Sequence, residues 1–230
     1  MKTLRNKIYN LYRRWFGRYT LDDPRINAKE APYTYYIPSS ARTEAVQPGD
    51  SVQLVFRGHP GGQKWDVERM WVEVTARTDA GFEGNLDNDP SDMPQLKAGD
   101  FVRFQPFHVI SIQTERDQLS EPASRTYWER CMVDKCVREE KTPVYYLYRE
   151  EPDMDEPDDE YPDSGWRIRG DYRHISDDEL DARKAEYIAI GKVLNADDSW
   201  LHLIDEPIGS AFMRNFDTGE YEVYDRASHD

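Results

Sequence analysis

Cysteine is scarce in this 230-residue chain: Cys131 and Cys136 are the whole supply. Two thiols give neither a disulfide framework nor a zinc set. On a strand their odd spacing would place them on opposite faces, which excludes pairing and leaves buried free thiols as the expectation. The five histidines, His59, His108, His174, His202 and His229, form no His-Glu-x-x-His pair and stand at no zinc spacing with cysteine. A nucleophile elbow, a phosphate-binding glycine loop and a dinucleotide fingerprint are all missing. Long apolar runs are missing too, since nothing approaches the roughly 20 residues that span a bilayer. The N-terminus is basic but has no secretory apolar core, so a cytoplasmic location is expected. No cofactor, no metal and no enzymatic activity are expected on these grounds.

Charge is segregated. Residues 1–18 hold six bases (Lys2, Arg5, Lys7, Arg13, Arg14, Arg18) and no acids, so the other residues carry −21 against a net charge of −15. The opposite extreme lies between Glu150 and Asp163, where nine of fourteen residues are carboxylates and none is Lys, Arg or His. Such a run repels phosphate backbones and attracts basic protein surfaces. With 13% aromatic and 38% apolar residues, the chain can still build a core.

Leu4, Ile8, Leu11 and Trp15 share one helical face, with Tyr12 beside it, so residues 1–20 read as a basic amphipathic helix. Most such helices pack the apolar face on their own protein, and that is the expectation here. A weak membrane-surface contact through residues 2–18, or a partner-docking arm, is the alternative. Residues 21–44, with Pro24, Pro32 and Pro38 among Tyr33, Tyr35 and Tyr36, read as an extended connector.

Between residues 45 and 113 the pattern is β. Val52, Leu54 and Phe56 alternate with polar residues, Met70–Thr75 and Phe82–Leu86 are strand-like, and Phe101–Phe104 and Val109–Ile112 complete five short strands. Gly49-Asp50 and Gly99-Asp100 repeat as turns. A small bent β-barrel is the predicted module. Asp87, Asp89 and Asp92 could hold a cation, but Asp-Asn-Asp-Pro is more often a turn held by side chain to backbone bonds. A linker is predicted at 114–128.

A second, mixed α+β module is predicted at 129–225, making the whole chain α+β. Cys131–Val137, Val144–Tyr148 and Gly165–Arg169 read as strands, and Tyr187–Leu194 as a strand or as a continuation of the preceding helix. Ser176 and Glu179 form a capping box that opens a helix running to about Glu186. Gly209-Ser210-Ala211-Phe212 reads as a tight turn feeding a packed Phe.

Two resemblances bear on function. Met70-Trp71-Val72-Glu73-Val74-Thr75, Gly84-Asn85-Leu86-Asp87-Asn88-Asp89-Pro90 and Lys97-Ala98-Gly99-Asp100 resemble a small bacterial domain of unknown function, over about residues 46–112. Tyr148-Arg149-Glu150-Glu151-Pro152, Asp163-Ser164-Gly165-Trp166-Arg167 and Asp205-Glu206-Pro207-Ile208-Gly209-Ser210-Ala211-Phe212 resemble the bacterial immunity-protein family numbered thirty-three in polymorphic-toxin systems. That likeness covers about residues 129–216, and the chain departs from the pattern around 171–187. It implies an intracellular antidote whose partner is a cognate toxin.

The acidic run is then a candidate for steering a basic toxin surface, through Glu150, Glu151, Asp153, Asp155, Glu156, Asp158, Asp159 and Glu160. Tyr161 and Trp166 are the candidate anchors. Alternation nevertheless sets Trp166 with Ile168 on one strand face, where a core position is the commoner fate, and turns Arg167 and Arg169 toward the carboxylates. A nucleic-acid-binding barrel using Trp65, Trp71, Phe101 and Phe104 is a competing reading, weakened by the absence of a basic stripe at 45–113. An enzyme whose site converges only in space is another.

Overall fold

The computed structural model describes residues 2–115, 125–154 and 159–225. These residues divide into two units. The fold is α+β: a curled half-barrel sheet, followed in sequence by a second sheet with helices.

The first unit spans Met1–Glu30 and Tyr35–Ser124. It opens with α1 (Lys2–Phe16) and β1 (Arg18–Leu21). The segment expected to be an extended connector instead forms two short helices, α2 (Pro24–Glu30) and α3 (Ser40–Glu44). Pro24 stands at the first helical position, where its missing N–H costs nothing, and the Ser39 hydroxyl caps α3 by accepting from the Arg42 amide. Proline at such spacing limits helix length without excluding helices.

The five predicted strands are present as β2 (Ser51–His59), β3 (Val67–Thr78), β4 (Gly81–Leu86), β5 (Phe101–Phe104) and β6 (Val109–Gln113). They pair antiparallel in the order β1-β2-β3-β4-β5. The free edge of β2 is shared: β6 takes Ser51–Leu54 and β1 takes Phe56–His59. That sharing, with register shifts in β2/β6 and β3/β4, curls the sheet around its core. Gly84 sits where a Cβ would lie 2.4 Å from the Glu73 carbonyl oxygen, so only glycine lets β4 close on β3 there. Val52, Leu54, Phe56, Met70, Val72, Phe82 and Phe104 fill the inside. The two Gly-Asp turns share one construction. Asp50 accepts from the Gln47 amide and Asp100 from the Lys97 amide, each behind a glycine at positive φ.

α1 corrects the expectation for its apolar face. Leu4, Ile8, Leu11, Tyr12, Trp15 and Phe16 are all exposed, by 52 to 75%. The opposite face docks on the unit. The Tyr9 hydroxyl donates to the Gly61 carbonyl (3.0 Å), and Gln63 donates to the Asn6 carbonyl and the Asn10 side chain. Arg13 is completely buried; its guanidinium bonds the Asp92 carboxylate (2.8 Å) and the Asp92 carbonyl oxygen. The rest of the Asp-Asn-Asp-Pro region behaves as a turn. Asn88 accepts from the Trp71 amide, Asp89 from Ala98, and Asp92 also from Lys64 and Trp65.

The second unit consists of Ala31–Thr34 and Arg125–Asp230. Its sheet contains β7 (Arg130–Asp134), β8 (Val144–Arg149), β9 (Asp163–Gly170), β10 (Ala185–Ala189), β11 (Ala211–Arg214) and β12 (Tyr221–Val223). The order is β10-β7-β9-β8-β11-β12, with β7 and β9 parallel and every other pair antiparallel. Three helices intervene: α4 (Lys135–Glu139), α5 (Asp177–Asp181) and α6 (Ile190–Leu194).

Three boundaries differ from expectation. The strand at Cys131 stops at Asp134 and becomes α4, so Cys136 leaves the sheet; Cys131 is buried and Cys136 half-buried, both as free thiols. The Ser176–Glu179 capping box forms, but α5 ends at Asp181, well before Glu186. The strand predicted at 187–194 begins at Ala185 and gives way to α6 at Ile190. In the first and third cases an apolar residue of the expected strand (Val137; Ile190 and Val193) is buried from a helix instead. Burial rather than local propensity set the element.

The core holds Cys131, Val133, Leu147, Trp166, Ile168, Ile190, Val193, Leu194, Trp200 and Phe212. Ala31–Thr34 joins through Asn195, which accepts from the Tyr33 amide (3.0 Å) and donates to the Thr34 hydroxyl (2.7 Å).

Candidate partner-binding surface

The sheet order brings the three immunity-like motifs to one place. β8 runs antiparallel to both β9 and β11, so its C-terminal end meets both their N-terminal ends. Those three ends carry Arg149-Glu150, Asp163–Arg167 and Glu206–Phe212. Arg149 ties them together. Its amide donates to the Ser210 carbonyl and its carbonyl accepts from Gly209, while its guanidinium donates to the Ser164 (3.0 Å) and Glu206 (2.8 Å) carbonyls. Sequence reasoning did not single out Arg149, because a lone arginine at a strand end carries no signal until its carbonyl partners are placed.

Register decides what each sheet face presents. Val133, Ile168, Leu147 and Phe212 form one cross-strand row, directed into the core. Met132, Arg167 and Tyr148 form the neighbouring row on the other face, and Arg169 stands opposite Tyr146 and Tyr146 opposite Met213. Alternation therefore sends Trp166 and Ile168 inward and Arg167 and Arg169 outward, as the strand pattern implies.

The acidic segment folds back on Arg167. Asp163 binds the guanidinium with both oxygens (2.9 and 2.8 Å), Glu150 accepts from Nε (2.5 Å) and Asp153 from Nη2 (2.7 Å). Three carboxylates thus enclose one cation that is only 6% exposed. Burial pushes the Asp163 carboxyl up, but Arg167 and the Gly165 amide outweigh that and hold it below the ordinary carboxylate value. The Asp163 hydrogen bond, against the cost of burial, raises Arg167 in turn. Gly165 makes the return path possible: its φ is +78°, and a Cβ would lie 2.1 Å from the Glu150 carbonyl oxygen.

This arrangement divides the sequence candidates. Glu150 and Asp153 are engaged by Arg167, whereas Glu151 and Glu160 are exposed. Asp159 and Tyr161 are half-buried, and Tyr161 lies 5.9 Å from the Trp128 ring. Asp155, Glu156 and Asp158 lie outside the described residues. Trp166 is corrected as a surface anchor. It has no exposed area; its indole N–H donates to the Ile204 carbonyl and its ring meets Trp200 edge-on at 5.8 Å. The exposed apolar side chains on these converging loops are Met154 and Ile208, neither of which had a periodic signal to mark it.

Burial raises the Cys131 thiol well above its usual value, which disfavours the thiolate. Among the described residues no group of three or more His, Cys, Asp or Glu side chains is placed to hold a metal ion. Of the rings named for a nucleic-acid reading, Phe104 is buried, while Trp65 and Phe101 are exposed. Arg103, beside Phe101, is bonded to the Glu83 carboxylate.

Comparison with known families bears on the second unit. Residues 131–224 match the family model described as Immunity protein Imm33 domain. The matched span runs from β7 through β12 and includes all three converging motifs and residues 171–187. It leaves residues 1–130 uncovered, so the likeness drawn for residues 46–112 has no counterpart in it. No curated protein and no solved structure matches the chain. The match supports an immunity-protein role, which in general implies a toxin as partner. Among the described residues no helix is long and apolar enough to cross a membrane.

Proposed function

We propose that this chain is an antidote that binds a cognate bacterial toxin and occludes it, without transforming a substrate. The observation that carries the proposal is the Imm33 match over residues 131–224. The sheet end formed by β8, β9 and β11 supports it, because that is where the acidic segment is pinned and where Glu151, Glu160, Met154 and Ile208 are exposed. In this reading Arg167 holds the acidic segment in shape by neutralising the carboxylates nearest the sheet. The carboxylates farther along steer a basic toxin surface, and the exposed apolar side chains make close contact. Tyr161 and Trp128 form an aromatic flank.

The test is co-expression with the toxin of the adjacent reading frame. The intact chain is expected to restore growth and to form a stable complex whose association slows as salt rises. Equal lethality with and without this chain would defeat the antidote role. Full protection by the Glu151→Gln, Glu160→Gln, Ile208→Asp variant would keep the role but remove this surface from it.

A further inference from the structure

α1 presents its apolar side to solvent and its polar side to its own protein, the reverse of an ordinary surface helix. The inversion is built. Tyr9, Asn6, Asn10 and Arg13 occupy the docked arc, and Arg13 is completely buried against Asp92. Leu4, Ile8, Leu11, Trp15, Tyr12 and Phe16 form one continuous stripe along a 15-residue helix, roughly 22 Å long at the α-helical rise. The Tyr12 and Phe16 rings stack at 5.4 Å. Exposed bases flank the Leu4, Ile8, Leu11 and Trp15 row, with Arg5 on the side of Tyr12 and Phe16 and Lys7 and Arg14 on the other. A contiguous apolar surface of this kind marks an interaction site.

The geometry points to an anionic lipid surface as the occupant: α1 lies in the headgroup plane, with its apolar stripe in the acyl boundary and its bases on lipid phosphates. Charge favours this occupant over a second copy. Two α1 helices paired face to face would bring together the bases of both, and residues 1–18 contain no acid to answer them. The other large exposed apolar side chains among the described residues (Ile26, Trp65, Phe101, Met154, Ile208, Val223) are spread along the sequence and form no second helical stripe. The docking bonds of α1 fix which side faces outward before any membrane is met, so little ordering is left for binding to supply.

Vesicle sedimentation of the full chain tests this, with mixed phosphatidylcholine–phosphatidylglycerol vesicles beside phosphatidylcholine alone. Binding to the anionic vesicles is expected, weakening with salt and weaker on neutral vesicles. The Ile8→Asp, Trp15→Asp variant should lose at least tenfold in partitioning while keeping the wild-type melting curve, because neither side chain is buried. Changing Arg5, Lys7 and Arg14 to Gln should cost about fivefold for each base removed. No sedimentation with anionic vesicles at low salt would overturn the proposal. So would an unaltered partition of the Asp variant, or a wild-type dimer in velocity sedimentation that the Asp variant abolishes. No toxin enters this assay, so it stands or falls apart from the antidote reading.

Discussion

Arg13 and Arg167 solve the same problem with opposite signs. Each is a buried cation that pins an interaction segment to the body of its own unit. In the first unit one carboxylate, Asp92, receives Arg13 and holds down a basic helix whose apolar stripe faces out. In the second, three carboxylates receive Arg167, and the segment held down is acidic. The difference lies in who supplies the counter-charge. Asp92 belongs to the body and also accepts the Lys64 and Trp65 amides, so the helix can leave without stranding it. At Arg167 the counter-charge belongs to the segment and the strand that continues from it; the Asp163 carboxylate also accepts the Gly165 and Asp153 amides, but its side chain is wholly buried where that of Asp92 is 10% exposed, so losing the cation costs more there.

The comparison breaks most sharply at Arg167. Arg167→Ala should destabilise the second unit by about 3–5 kcal/mol, the usual cost of orphaning one partner of a buried pair, read as a lowered urea midpoint. Gly165→Ala attacks the same anchor through the backbone. The positive φ alone should cost about 1–3 kcal/mol, with the overlap on the Glu150 carbonyl added, and it should expose the acidic segment to protease. Arg13→Ala should cost less, about 1–2 kcal/mol, because the Asp92 side chain keeps some contact with water whereas that of Asp163 has none. Its signature should be selective cleavage within residues 2–16 with the rest of the unit intact.

Acidification probes both anchors together. The Asp163 and Asp92 carboxyls both lie below their ordinary value in the folded protein. The stability they contribute is therefore fully present above the unfolded value of about 3.9 and is lost as pH falls through the lower folded values. Urea midpoints should show no loss from these groups between neutral pH and about 5, then a decline below about 4, and Arg167→Ala should flatten that decline. The smallest effect belongs to Glu151→Gln with Glu160→Gln, which should change stability by less than about 0.5 kcal/mol. A larger loss of stability would mean that these two carboxylates help hold the fold.

Much of this architecture was legible from periodicity. Alternation marked Val52, Leu54 and Phe56, short β-prone runs marked the other four strands of the half-barrel, and alternation separated Trp166 and Ile168 from Arg167 and Arg169. The Ser176–Glu179 capping box was readable because every group in it lies within four residues. Two of the boundary errors share a source. Cys131–Val137 and Tyr187–Leu194 carry apolar residues that suit a strand or a helix, and the sheet accepted only part of each. At the candidate surface, the acidic run was obvious but its inward turn was not. The turn depends on Gly165 and on a cation that neighbours the carboxylates in space as well as in sequence.

Local spacing alone therefore determined which side chains share a face, where turns fall, and that one end of the chain is basic while an internal segment is acidic. Those properties follow from backbone geometry within a few residues. Only the tertiary structure decided what each face meets. Leu4, Ile8, Leu11 and Trp15 were certain to lie together, yet Arg13 on the other side of the helix found Asp92, 79 positions away, and turned them outward. A helical period fixes relative directions around an axis. The rotation about that axis is set by whichever side gains more from burial, and here a buried ion pair with its hydrogen bonds outweighed the apolar stripe.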